Sequence, residues 1–188
     1  MTLNSPKKFF LIKDKKSIWY KKNLYDLYKK ASLPYNWYKD IFKEAKKNNI
    51  ICFSTPFDEK AVDYLDSFKV PAYKIASFEN NHIPLIEKVI KKKKPLIISL
   101  GATTKKEINN LYNFLINKNY YNFAFLQCTS SYPAKVKDSN IRTIVDLKKK
   151  YKVEIGLSDH TPGIGAAVAA VSYGATIIEK HFTLDKSA

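Results

Sequence analysis

Beyond residue 48 the chain alternates between short apolar runs with polar ends and longer stretches whose apolar residues recur every three or four positions. The runs are IICFS (50–54), AYKIAS (72–77), PLIISL (95–100), NFAFLQC (122–128), VEIGLS (153–158) and TIIEKHF (176–182). Their length and near-continuous hydrophobicity predict six strands buried on both faces. Between them lie DEKAVDYLDSF, NHIPLIEKVIKK, TKKEINNLYNFLINK, SNIRTIVDLKKKY and GIGAAVAAVSYG, most with the spacing of amphipathic helices, as Ile83, Ile86, Val89 and Ile90 illustrate. Start signals recur: Thr104 with Glu107 reads as a capping box and Ser139 as an N-cap. His82 reads as the exposed opening of a helix. Ahead of this region, NLYDLYKKA and YNWYKDIFKEAKK predict two helices after an irregular segment over 1–19.

Apolar strands alternating with helices indicate an α/β protein with a parallel sheet. No G-x-G-x-x-G or G-x-x-x-x-G-K-[ST] loop follows any run, which weighs against a nucleotide-binding open sheet. Strand after strand instead ends in a reactive or hydrogen-bonding residue, as the site face of a TIM (β/α)8 barrel requires. Six strands fall short of eight, and LDKSA follows the last run with no closing helix. The expectation is an incomplete barrel over 20–188, part of a larger enzyme.

Composition narrows the partners. The 188 residues are 45% hydrophobic and 27% charged, enough for one domain with a sizeable core. No apolar run has the length of a membrane span, and MTLNSPKKFF lacks the pattern of a secretory signal. Cys52 and Cys128 both fall in predicted strands and read as reduced core thiols, so a cytoplasmic protein is expected. The net charge of +16 invites nucleic-acid binding, but Arg142 is the sole arginine, and arginine makes most bidentate phosphate and guanine contacts. Lysine runs such as 91–94 and 148–150 fall where helices end, where the macrodipole favours cations. A solvated basic surface is the better reading, with neither nucleic acid nor membrane as partner.

The strand ends carry the chemistry. In order they offer Ser54 and Thr55; Lys74, Ser77 and Glu79; Ser99; Thr129, Ser130 and Tyr132; Ser158, Asp159 and His160; and Glu179, Lys180 and His181. A parallel barrel points all of these to one face. Hydroxyls with an ammonium suit a phosphate or carboxylate, which need several donors. Two imidazoles on successive strands suit a divalent transition metal acting as a Lewis acid. Each residue also has a plainer role: serine and threonine after strands commonly cap helices, and a lone histidine is often a satisfied core residue. A mid-strand lysine such as Lys74 is costly unless paired or facing a polar interior. It could also form a Schiff base, as in a lyase-type aldolase.

At these residues the sequence resembles a known family. FSTPFD, AYKIASFE, LQCTSSYPA, GLSDHTPG and GATIIEKHFTLD resemble, in order and spacing, the motifs of the sialic acid synthase family. KIASFE with Phe78, and SIWYKKNLYDLY around Trp19, are most similar to the branch that makes pseudaminic acid. The resemblance implies condensation of phosphoenolpyruvate with an N-acetylated amino sugar to a nine-carbon nonulosonic acid, with release of phosphate. It implies that His160 and His181 bind Mn2+ or a similar divalent ion. Thr55, Lys74, Ser77, Ser99, Ser130 and Ser158 would hold phosphoenolpyruvate, and Glu79 and Tyr132 would face the sugar. Lys74, Glu79, His160 and His181 would form the catalytic group. Where the family reads Ser-Thr-Gly this chain has Ser99-Leu100-Gly101, so Leu100 is expected to alter the pocket wall. Ser130 stands where relatives can have asparagine.

The resemblance further implies that the strands present are numbers three to eight. The family's Glu and Asn-His motif, its Lys-x-Gln motif and its C-terminal antifreeze-like domain have no counterpart here. Family members are homodimers in which that domain brings an arginine to the partner's sugar site. The chain alone is therefore expected to be weakly active or inactive unless a second polypeptide supplies the missing strands. The alternatives are an inactive remnant serving as an interaction protein, or an aldolase using Lys74.

Overall fold

The computed structural model describes residues 7–15, 17 and 19–185. The irregular segment expected over 1–19, the SIWY motif at residue 18 and the final residues 186–188 lie wholly or partly outside them. The chain divides into two compact units, Met1–Ile50 and Ile51–Ala188. In the first unit a 3-10 turn (Lys7–Phe10) and an antiparallel bridge between Leu11 and Asn23 precede two helices. These are α1 (Leu24–Ala31) and α2 (Trp37–Lys47), both at the predicted positions. Asn23 starts α1 by accepting the Tyr25 N–H at 2.9 Å, which satisfies one of the orphan donors of the first turn.

The second unit opens with α3 (Glu59–Ser67), whose N-cap Asp58 accepts the Ala61 N–H at 2.7 Å. Strands and helices then alternate: β1 (Tyr73–Ile75), α4 (Ile83–Ile90), β2 (Leu96–Ser99), α5 (Lys105–Asn117), β3 (Phe123–Cys128), α6 (Thr143–Lys150), β4 (Glu154–Asp159), α7 (Gly165–Ser172) and β5 (Ile178–Lys180). All four pairings are parallel, and the spatial order β1-β2-β3-β4-β5 repeats the chain order. A doubly wound sheet reverses its order at a switch point, whereas a barrel wall does not. The sheet curls as half of such a wall.

Strand alternation then sorts the side chains. Tyr73, Ile75, Leu96, Ile98, Phe125 and Ile155 are fully buried in the core. Lys74, Ser99 and Ser158 occupy alternate positions and face the other side. Gly156 lets β4 and β5 approach closely, since a Cβ there would lie 2.3 Å from the Ile177 carbonyl oxygen.

Among the described residues five strands form where six were expected. IICFS (50–54) has no assigned helix or strand; among the described residues it joins no ladder, and Ile50 and Ile51 stand 64% and 78% exposed. The Ile50 N–H turns back to the Ala45 carbonyl at the end of α2 instead. Cys52 consequently sits outside any strand, while Cys128 ends β3. The N-cap expected at Ser139 is also corrected. Asn140 adopts φ 48°, which stops helix propagation, and the Ser139 hydroxyl donates to the Val136 carbonyl at 2.6 Å. α6 starts only at Thr143. The Thr104–Glu107 capping box is present: Glu107 Oε2 accepts the Thr104 N–H at 2.7 Å, and Thr104 Oγ1 accepts the Glu107 N–H at 3.3 Å. Among the described residues no helix is long and apolar enough to cross a membrane.

Candidate active site

The carboxyl ends of β1, β2, β4 and β5 converge on one buried ammonium. Lys74, 7% exposed, donates from Nζ to Ser99 Oγ at 2.8 Å and to the Ile75 carbonyl at 3.2 Å. Glu179 Oε2 lies 3.4 Å from the same nitrogen. Opposite Glu179 in the β4–β5 register stands Ser158, whose hydroxyl donates to Glu179 Oε1 at 2.6 Å. A lysine this buried needs such acceptors to remain charged.

A second cluster lies at the ends of β1 and β3. Ser77 Oγ accepts the Gly101 N–H at 3.1 Å and donates to Cys128 Sγ at 3.3 Å. Ser130 Oγ stands 3.9 Å from that sulfur. A Cβ at Gly101 would lie 2.3 Å from Ser130 Oγ and 2.7 Å from Ser77 Oγ, so only glycine leaves this cup intact. Leu100 does not alter the wall as expected. It is buried in the core, its N–H bonded to the Leu126 carbonyl, and it lines neither cavity.

His160 and His181 follow the last residues of β4 and β5, with ring centroids 5.1 Å apart. Tyr132 packs on both, at 4.2 Å from His160 and 5.6 Å from His181. His160 Nδ1 lies 2.8 Å from the Thr129 carbonyl oxygen, which only accepts, so Nδ1 carries a proton and, in the neutral imidazole, Nε2 is the atom with the free lone pair. This is how a ligating imidazole is oriented by an outer hydrogen bond. Among the described residues no group of three or more His, Cys, Asp and Glu is placed to hold a metal. An ion held by this pair would have two protein ligands, with its other positions left to water or substrate, unlike a closed structural site.

The pair is braced between its strands. Asp159, adjacent to His160, accepts from Lys180 Nζ at 2.7 Å, and from the Thr161 N–H and hydroxyl at 2.8 Å each. Lys180, adjacent to His181, also donates to the Thr161 carbonyl at 2.6 Å. Burial pushes the Asp159 carboxyl up, but the bonds from Lys180 and Thr161 outweigh it and hold the group below its usual range. Glu79 behaves oppositely. Burial raises it, and its Oε2 is buried without a hydrogen-bond partner among the described residues.

Eight of the residues singled out from sequence line one cavity of about 330 Å3: Thr55, Lys74, Ser77, Ser99, Tyr132, Ser158, His160 and His181. Glu79 and Ser130 are not among its lining residues. Glu179, Asp159 and Lys180 had been noted only as strand-end residues, with no site role. The signal available for Glu179 was its position two residues before His181, matching that of Ser158 before His160. A neighbouring cavity of about 460 Å3 shares Tyr132 and both histidines.

A curled parallel sheet whose strand ends gather an ammonium, hydroxyls and paired imidazoles defines the class: an α/β half-barrel with its candidate site at the carboxyl face. Within that class the sequence matches the NeuB family over residues 1–188, and the chain belongs to this family. It is 46% identical over 187 residues to a pseudaminic acid synthase of Campylobacter jejuni, covering 100% of this chain and 54% of that protein. The pseudaminic acid synthase of Helicobacter pylori is 42% identical with the same coverage. The crystal structure of an N-acetylneuraminic acid (sialic acid) synthetase from Leptospira borgpetersenii superposes with a TM-score of 0.82 at 36% identity, over 86% of this chain and 56% of that one. The chain spans about half the length of these relatives.

Proposed function

We propose that the chain carries the phosphoenolpyruvate and metal sites of a nonulosonic acid synthase, with pseudaminic acid as the favoured product. The observation behind this is the single cavity that brings Lys74, Ser99 and Ser158 together with His160 and His181. The identity to pseudaminic acid synthases supports the choice of product. Lys74 and Ser99 supply the donors for the phosphate or carboxylate of phosphoenolpyruvate, with Thr55, Ser77, Ser130 and Ser158 around them. Tyr132 and Glu79 face an N-acetylated amino sugar. His160 and His181 are the ligands for Mn2+ or a related ion, which when bound would polarise the sugar aldehyde as a Lewis acid. In the condensation C3 of phosphoenolpyruvate bonds to the aldehyde carbon, water adds at C2, and the C2–O bond to phosphate breaks.

Lys74 is better suited to this role than to a Schiff base, because its nitrogen already faces three acceptors as an ammonium donor. In the described sheet β1 and β5 each have one unpaired edge. Full turnover in a cytoplasmic homodimer with further barrel strands, from this or a second polypeptide, is part of the proposal.

Mn2+ binding followed by electron paramagnetic resonance tests the reading without requiring turnover. The wild-type chain is expected to bind one ion, and His160→Ala and His181→Ala each to lose it. An ion bound equally well by both variants, or borohydride trapping of pyruvate on Lys74, would overturn the proposal.

A further inference from the structure

The hydrogen inventory around Lys74 assigns Glu179 a role of its own. The single hydroxyl hydrogen of Ser158 is given to Glu179 Oε1 at 2.6 Å. Lys74 has three hydrogens and three acceptors, at 2.8 Å, 3.2 Å and 3.4 Å, and the longest contact is the one to Glu179 Oε2. Ser99 accepts from Lys74, which leaves its own hydrogen for another partner. Two of the groups an anionic ligand needs are thus engaged by one carboxylate, which the strand register sets opposite Ser158.

We infer that the Glu179 carboxylate is an internal competitor for the anion site, holding the same Lys74 ammonium and Ser158 hydroxyl that an incoming phosphate or carboxylate must take. The inference rests on the anion-site reading above. The long Lys74 contact is the one that exchanges, and the Glu179 side chain, 42% exposed, has room to turn toward solvent. A second anion beside a carboxylate is also repelled, by an amount that depends on the local dielectric and on salt. The site therefore favours ligands with enough charge to displace Glu179, such as a phosphate dianion, over a simple monocarboxylate.

The test is binding of inorganic phosphate to the full chain, by calorimetry or phosphorus resonance, with circular dichroism confirming each variant's fold. Glu179→Gln keeps the shape and removes the charge; Glu179→Ala removes both acceptors. Both are expected to bind phosphate on the order of three- to tenfold more tightly than wild type at low salt, with the gain shrinking as salt rises. Lys74→Met is expected to lose binding in either background. Equal or weaker binding by both Glu179 variants, with wild-type binding still dependent on Lys74, overturns the competition and leaves the anion site standing. A gain indifferent to salt overturns its electrostatic origin. Absence of Lys74-dependent binding in wild type and variants alike overturns the anion site and the competition together.

Discussion

Two glycines show how the same small change has different consequences depending on what it meets. At Gly101 the nearest obstacles to a new Cβ are the hydroxyls of Ser130 and Ser77, the far ends of small side chains that can rotate. At Gly156 they are the Ile177 carbonyl oxygen at 2.3 Å and the Leu126 side chain at 2.6 Å, and the backbone cannot rotate away. Gly156→Ala is therefore expected to lose about 1–3 kcal/mol or more of stability in urea denaturation. Gly101→Ala is expected to keep most of its stability but to weaken phosphate binding, because Ser77 and Ser130 must leave the cup. Equal stability losses in the two variants would contradict this division. The strand-end residues of the site were legible in sequence because parallel strands deliver their carboxyl ends to one face, and eight of the ten given a site role share the cavity. The hydrogen-bond polarity was not legible. Nothing in the serine at 158 says that its hydrogen goes to Glu179; that follows from the β4–β5 register across 21 residues of sequence.

At the level of elements, α3 and α4 are held together by charge as well as by the core. Lys88 and Lys92 reach Asp63 at 2.8 Å and 3.0 Å, while Lys92 and Lys94 reach Asp66 at 2.9 Å and 2.8 Å. Hydrogen bonds from Lys94 and then Lys92 lower the Asp66 carboxyl from 3.8 to about 2. A folded-state value below the unfolded one means the stabilisation is fully present above 3.8 and is lost as pH falls toward 2. The group is about one-third exposed, so solvent screening keeps the effect small. Asp66→Asn should lower the melting temperature by a constant amount near neutrality, and the gap to wild type should close between pH 4 and pH 2. A gap that persists unchanged at pH 2 would assign the loss to packing instead. The amphipathic helices were readable because a buried stripe leaves its period in the sequence. The strands were over-read at their ends and at 50–54, because hydrophobicity says that a segment avoids water but not whether a ladder partner is within reach. β1 and β5 keep only three residues each of the longer runs that contain them.

For the whole molecule, two opposed forces govern how copies of the chain meet. α7, of sequence GAAVAAVS, is apolar all round, which is the pattern of a helix covered on every side. Yet it buries Ala166 and Ala170 while Val168 and Val171 stand 60% and 57% exposed. Beyond β5, itself the sheet's last strand, Phe182 and Leu184 are 87% and 95% exposed. An open strand edge beside exposed apolar side chains favours association. Against it stands a net charge of +16, which repels a second copy over a Debye length that shortens with salt. The chain is therefore expected to be monomeric in dilute, low-salt solution and to associate as either concentration or ionic strength rises, as sedimentation velocity would show. Val168→Lys with Val171→Lys, neither of which lines either cavity, should keep it monomeric across the same salt range. Association that weakens as salt is added would mean that charged contacts hold the copies together, and the apolar edge would then not be the cause.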